Sequence, residues 1–159
     1  MQVRICIIAA SESQTWVREA HNRNEHPQIN VYFRAAGYKR PELLSWTNKA
    51  WCATFVTWCL KQCNVPISSK NSLAAVATYN GMASRRIIPG SPRLPGDVVT
   101  YRVWSHVELV KYWPLDPRIR SFYANGGNTS GGRKQHGAYA NISRPKAYVR
   151  YVLRFVPIQ

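Results

Sequence analysis

One of the four cysteines of this 159-residue chain lies where a thiol could act as a nucleophile. Cys52 begins a segment of helical apolar spacing, and the free N–H groups and dipole at a helix start favour a negatively charged sulfur. Cys59 and Cys63 fall further along the same apolar stripe, where burial disfavours a charged thiol. Covalent chemistry at Cys52 would also need a base and a group that orients the base.

Candidates for the base and the orienting group follow later in the chain. His106 begins an alternating segment that is typical of a strand, and Asn128 lies in a glycine-framed turn. The amide oxygen of Asn128 could accept a hydrogen bond from the imidazole N–H. Each residue alone has an ordinary structural explanation, since histidines occur at strand starts and asparagines in turns. The order Cys, His, Asn is that of papain-like enzymes, so the three together predict a catalytic site.

The elements that must position these residues change in type along the chain. Helical spacing predicts one short helix around residues 16–20, a second around 29–36 and a third at about 51–63, which contains Cys52. A further short helix is expected within residues 71–79. These helices occupy the first half of the sequence.

Beyond a Pro- and Gly-rich connection, the pattern becomes strand-like. Short β-branched or aromatic runs predict strands at residues 98–101, 106–110, 122–124 and 147–156. The basic, glycine-rich stretch around His136 indicates a loop. Helices followed by strands predict a single α+β domain over residues 1–159, with the Cys52 helix packed on a small antiparallel sheet.

The chain is strongly basic, with 22 Lys and Arg against 7 Asp and Glu and a formal charge of +15. Such a charge attracts nucleic acid, anionic lipid or anionic cell-wall polymer. The basic residues are scattered in pairs between apolar segments rather than gathered in one run, which disfavours nucleic acid.

The cysteine spacing is typical of neither a disulfide framework nor a zinc site, so no metal is expected. The apolar run at residues 3–10 is too short for a signal peptide or a membrane span. We therefore expect synthesis in the cytoplasm without an export signal.

Four segments together resemble the CHAP family of cysteine, histidine-dependent amidohydrolases and peptidases, which belongs with the NlpC-type, papain-like peptidases. The family has a Trp-Cys-Ala-x-Phe-Val-like helix start, a His-Val strand and a polar residue in a Gly-Asn turn. Similar residues stand here at 51–60, 95–99, 105–110 and 127–130, and the resemblance extends from about residue 18 to residue 130.

The chain departs from this family pattern at one position. Many members carry a glutamate two residues before the asparagine, where this chain has Gly126. A Gly-Gly-Asn subgroup is similar to the present sequence, so the resemblance assigns the orienting role to Asn128, with Asn125 as a substitute.

The resemblance implies a papain-like fold and hydrolysis of an amide bond in peptidoglycan, without metal or cofactor. The enzyme would be either an N-acetylmuramoyl-L-alanine amidase or a peptidoglycan endopeptidase. Cys52 would attack the carbonyl, His106 would transfer the proton, and backbone N–H groups at the helix start would hold the oxyanion. Aromatic side chains could stack on sugar or peptide, and Trp51 and Trp104 are the candidates for substrate binding.

The expected partner is peptidoglycan, with anionic wall polymers or outer-leaflet lipid as further contacts of the basic surface and no nucleic acid. Such an enzyme would reach the bacterial cell wall through phage lysis, on a virion or by a secretion system. A phage endolysin is our first interpretation. The alternative is an interbacterial effector, which could have an immunity protein.

Two rivals from other classes remain open. A basic nucleic-acid-binding protein would not depend on Cys52, and its binding would weaken with salt. A papain-like enzyme that acts on proteins or isopeptides would need Cys52 but would ignore cell walls.

Overall fold

The computed structural model describes residues 1–157, so the last two residues of the predicted domain lie outside it. Within the described residues, four α-helices precede five β-strands, which confirms the predicted α+β class. The helices are α1 (Gln2–Gln14), α2 (Pro27–Ala35), α3 (Cys52–Gln62) and α4 (Val76–Gly81). The strands are β1 (Val98–Tyr101), β2 (Val107–Tyr112), β3 (Ser121–Thr129), β4 (Gly137–Pro145) and β5 (Val149–Leu153).

The five strands form one antiparallel sheet in the order β4-β3-β2-β1-β5. Strands β1 to β4 follow one another as a meander, and β5 returns to pair with β1. The register places Val99 opposite Glu108, and Leu109 opposite Asn125. The centre of β2 is therefore enclosed by strands on both sides.

The sheet is covered on both faces, which explains why its central strands are almost entirely buried. Val98, Val107 and Leu109 belong to the large core beneath the helices. The alternate residues Val99 and Val110 face the other way, into a smaller cluster.

Helix α3 packs on β2 and β3 and forms the centre of the large core. Phe55, Val56 and Leu60 are fully buried, and burial of each such side chain is worth about 1.5–3 kcal/mol. The helix ends where Asn64 adopts a positive φ of 55° and the Val65 N–H bonds back to the Leu60 carbonyl. The predicted helix at 51–63 and its packing on the sheet are thus confirmed.

The first predicted helix was misplaced. The chain is helical from Gln2 to Gln14, and the buried residues Ile5 and Ala9 come from the run judged only as too short for a membrane span. Around Trp16, where a helix was expected, φ is +60°. Arg18 instead pairs with Gly137 at the start of β4. The hydrogen bonds of this bridge are made by its neighbours, from the Ala138 N–H to the Val17 carbonyl and from the Glu19 N–H to the His136 carbonyl, each at 2.9 Å.

Strand β4 was the element missed in the second half. It begins immediately after His136, in the stretch interpreted as a loop, and pairs with β3 along most of its length. Strand β3 is also longer than expected, so Asn128 lies inside a strand, although with a φ of +54°. Glycine and polar residues hide both strands from a pattern based on apolar alternation.

Among the helices of residues 1–157, none combines the length and the apolar character needed to cross a membrane.

Candidate active site

Cys52 is the first residue of α3, after Trp51 as the N-cap. The first helical hydrogen bond runs from the Phe55 N–H to the Trp51 carbonyl at 2.9 Å. The N–H groups of the first turn, beginning with Cys52, consequently have no acceptor within the helix. These donors and the helix dipole surround the Cys52 sulfur with positive potential.

His106 lies immediately before β2, is only 7% exposed, and lies close enough to Cys52 for that side chain to raise its pKa. Its Nε2 atom lies 3.2 Å from Oε1 of Glu108. The structure thus brings together the predicted nucleophile and the predicted base.

Glu108 takes the position beside the imidazole that we had expected for an asparagine. It is fully buried and lies two residues after His106, on the same face of β2. Arg144 of β4 donates from Nε to Oε2 at 2.8 Å and from Nη2 to Oε1 at 2.6 Å. The hydroxyl of Tyr101 also donates to Oε2. The carboxylate is thus held from three sides by charge-assisted hydrogen bonds.

These contacts decide the charges at the site. Burial opposes ionisation of Glu108, but the hydrogen bonds from Arg144 and the adjacent His106 lower the pKa of Glu108 to about 2. Burial likewise disfavours the imidazolium, but Cys52 and Glu108 raise the pKa of His106 to about 10. Burial and the neighbouring carboxylate raise the pKa of Tyr101, so its hydroxyl remains a donor. At neutral pH the arrangement favours an imidazolium beside the ionised carboxylate of Glu108.

The positive charge on His106 also makes the stability of the fold depend on pH. Because the folded pKa of His106 lies above its ordinary value of 6.5, protonation stabilises the fold fully below pH 6.5. This contribution is lost as the pH rises from there through about 10.

The lack of a side chain at Gly126 makes room for the carboxylate of Glu108. A Cβ atom at Gly126 would lie 2.6 Å from Oε1 of Glu108, closer than real Cβ contacts allow. The carboxylate of Glu108 therefore occupies the space into which a side chain at position 126 would project. An acid from β2 thus fills the space beside position 126 of β3.

Asn128 does not contact His106. In the amide orientation that satisfies its neighbours, Oδ1 accepts from the Trp51 backbone N–H at 3.0 Å and Nδ2 donates to Glu19 at 2.9 Å and to Asn24 at 3.2 Å. Asn128 thus holds the residue before Cys52 and positions the helix start.

Asn125, the substitute considered for the orienting role, is also engaged elsewhere. Its amide nitrogen donates to the Cys6 carbonyl at 3.2 Å, and its oxygen accepts from the Asn141 N–H at 3.1 Å. Neither asparagine hydrogen-bonds to the imidazole in this structure.

The two tryptophans proposed for substrate binding differ in exposure. Trp51 is fully buried, stacks on Tyr32 at 5.6 Å between ring centroids, and donates from Nε1 to Glu19 at 2.8 Å. This burial rules out the expected substrate contact, because the ring is part of the core. Trp104 is 38% exposed and stacks on Tyr101, whose ring in turn lies 6.1 Å from that of His106. Trp104 therefore remains a candidate for the wall of a substrate groove.

Sequence reasoning missed Glu108, Arg144 and Tyr101. The signal for Glu108 was present, since residues 106 and 108 of one strand share a face and an acid inside an apolar run needs a partner. Arg144 carried no such signal, because the strand that presents it was not predicted.

Comparison of the sequence with family models and curated proteins, and of the fold with solved structures, found no match.

Replacing Glu108 by glutamine should lower the pKa of His106. Glutamine keeps the size of the side chain but removes the negative charge that favours the imidazolium, so the pKa should fall from about 10 toward 6.5. Titration of the imidazole signals by NMR, assigned with a His106→Asn variant, measures this directly. An unchanged titration midpoint in Glu108→Gln would contradict the pairing.

Replacing Asn128 by alanine should destabilise the protein without altering the His106 titration. The change leaves the buried Trp51 N–H without its acceptor, which costs about 1–3 kcal/mol. Chemical denaturation gives the stability, and the same NMR titration gives the histidine. A shifted His106 pKa with unchanged stability in Asn128→Ala would restore the orienting role to Asn128.

Proposed function

We propose that this chain is a papain-like cysteine hydrolase in which Cys52 is the nucleophile, His106 the acid and base, and Glu108 the residue that orients the histidine. The observation that carries the proposal is the hydrogen-bonded chain from Arg144 through Glu108 to His106, whose ring lies within electrostatic reach of Cys52 at the N-terminus of α3. A nucleophile, its base and a third group that fixes the base are the parts that covalent catalysis requires.

In the first half of the proposed reaction, the Cys52 thiolate attacks the carbonyl carbon of an amide bond. The carbonyl oxygen takes up the displaced electron pair and is stabilised by N–H groups at the start of α3. His106 then gives its proton to the amide nitrogen while the C–N bond breaks. The amine leaves, and the acyl group remains on Cys52 as a thioester.

In the second half, neutral His106 removes a proton from a water molecule that attacks the thioester carbonyl. The resulting tetrahedral intermediate collapses with departure of the Cys52 thiolate, and the carboxylic acid is released. His106 is again an imidazolium and the site is restored. The anionic Glu108 stabilises this positive charge each time it forms, as the third member of a triad does.

Peptidoglycan is the substrate that we propose. The resemblance of the Cys52 helix start and the His106 strand to CHAP enzymes supports an amide bond of the cell wall, either sugar to stem peptide or within the peptide. The formal charge of +15 supports an anionic surrounding of the kind that bacterial walls provide.

The biological setting proposed is that of a phage endolysin, with an interbacterial amidase effector as the alternative. A nucleic-acid-binding role has less support, because it gives no reason for a charged histidine to be buried beside a cysteine.

Purified sacculi incubated with the protein should release soluble fragments, and Cys52→Ala should release none because the acyl intermediate cannot form. Glu108→Gln should reduce the rate roughly 10²-fold by weakening acid and base catalysis. The loss of turbidity measures the rate for each variant. Mass spectrometry of the newly formed ends distinguishes amidase from endopeptidase activity.

Cys63→Ala is the matched control, since it removes a thiol from the other end of the same helix and should leave the rate unchanged. Failure of the wild type on Gram-negative and Gram-positive sacculi alike would overturn the substrate assignment. Equal activity of Cys52→Ala would overturn the mechanism. DNA binding that persists in Cys52→Ala and weakens with salt would favour the nucleic-acid rival.

A further inference from the structure

A basic cavity lies apart from the proposed catalytic residues. It has a volume of about 540 Å³ and shares no lining residue with the Cys52, His106 and Glu108 group. Its walls are the segment before β1, the tryptophan that follows β2, the turn before β5, and β5 itself. Six of its lining residues carry the argument: Arg86, Arg93, Lys146, Arg150, Trp113 and Tyr151.

The four cations of this cavity have no ion-pair partner within residues 1–157. Asp97, whose charge acts on Arg93, and Asp116, whose charge interacts with Lys146, are both paired elsewhere. Asp97 accepts two hydrogen bonds from Arg154, and Asp116 accepts from Arg118. The positive charge in the cavity is therefore available to an anionic ligand.

Neutral groups hold these cations in place without neutralising them. The Arg86 guanidinium lies 3.8 Å from the centre of the Tyr151 ring and donates to the Asn80 carbonyl at 2.7 Å. Arg150 lies 5.5 Å from the same ring. Aromatic faces and carbonyls fix the geometry of a cation while its charge stays free.

Lys146 is fixed in the same way on the other side of the cavity. Its amine donates to the Pro114 carbonyl at 2.7 Å and lies 5.4 Å from the centre of the Trp113 ring. Ordered cations of this kind lose little side-chain entropy when an anion binds.

The cavity is bordered by exposed aliphatic side chains. Ile88 lines it and is 73% exposed. A second cavity adjoins it, sharing Arg93, Trp113 and Lys146, and is lined by Leu115, which is 81% exposed. A site that binds only a soluble polyanion does not need two exposed aliphatic side chains beside its cations.

We propose that this surface docks the protein on a membrane that contains anionic phospholipid, with a headgroup phosphate in the basic cavity. Ile88 and Leu115 enter the boundary between headgroups and acyl chains, where aliphatic and aromatic side chains are favoured. The cations supply the electrostatic attraction to the anionic surface. This inference goes beyond the proposed function and holds whether or not Cys52 cuts peptidoglycan.

Co-sedimentation with vesicles tests the docking surface in the full chain. The wild type should bind vesicles of phosphatidylcholine mixed with phosphatidylglycerol and not vesicles of phosphatidylcholine alone. Removal of two exposed cations, Arg86→Gln with Arg150→Gln, should lower the partition coefficient roughly 25-fold at about five-fold per cation.

A matched control removes the same charge outside the cavity, with Lys39→Gln and Lys70→Gln. This control should change binding by less than about three-fold, because neither lysine lines the cavities and exposed charges outside the docking surface are screened by salt. Ile88→Ser with Leu115→Ser keeps the charge and should weaken binding about ten-fold by removing apolar burial. Circular dichroism confirms that each variant is folded.

Equal losses from the cavity variant and the matched control would overturn the proposal, because net charge alone would then explain binding. Unchanged vesicle binding by Ile88→Ser with Leu115→Ser would also overturn it. Tighter binding to a soluble glycerol phosphate polymer or to DNA than to the vesicles would assign the cavity to that polyanion instead.

Discussion

The ionised carboxylate of Glu108, buried in the sheet, is the interaction on which the proposed site depends. Burial of a carboxylate is costly unless cations and donors surround it, and here Arg144 and Tyr101 provide both. Once held as an anion, Glu108 fixes Nε2 of His106 and stabilises the imidazolium. The Cys52 sulfur at the helix start then faces a cation on one side and free N–H groups on the other.

Two adjacent glycines of β3 let both faces of the sheet close around this arrangement. A Cβ atom at Gly126 would collide with Glu108, and one at Gly127 would lie 2.4 Å from the Trp51 ring. The first glycine makes room for the carboxylate that hydrogen-bonds to His106. The second lets Trp51, the residue before Cys52, pack against the sheet, where Asn128 also anchors its backbone. One short segment thereby sets the positions of both proposed catalytic partners.

The α+β class and the Cys52 helix could be predicted because local patterns encode them. The nearness of Cys52 and His106 was instead predicted from the order of the residue types along the chain. Apolar spacing defines α3, and β-branched runs define β1 and β2. The hydrogen-bond partner of His106 could not be predicted, because only tertiary contacts decide whether Asn128 or Glu108 lies beside the imidazole. Strand β4 was not predicted because its glycine and polar residues pair with β3 without apolar alternation. Arg144 lies on that strand and was therefore not recognised as a site residue. The helix at Gln2–Gln14 was missed because an apolar run was judged only by its length.

The rate at which iodoacetamide alkylates each cysteine at neutral pH tests the central claim most directly. Burial raises the pKa of Cys6 to about 12 and also raises those of Cys59 and Cys63, so these thiols should react slowly. Peptide mass spectrometry should find Cys52 modified first and should find it slower in Glu108→Ala, in which the imidazolium is no longer stabilised. A Cys52 that reacts no faster than the other three cysteines, or that is indifferent to Glu108→Ala, would contradict the account.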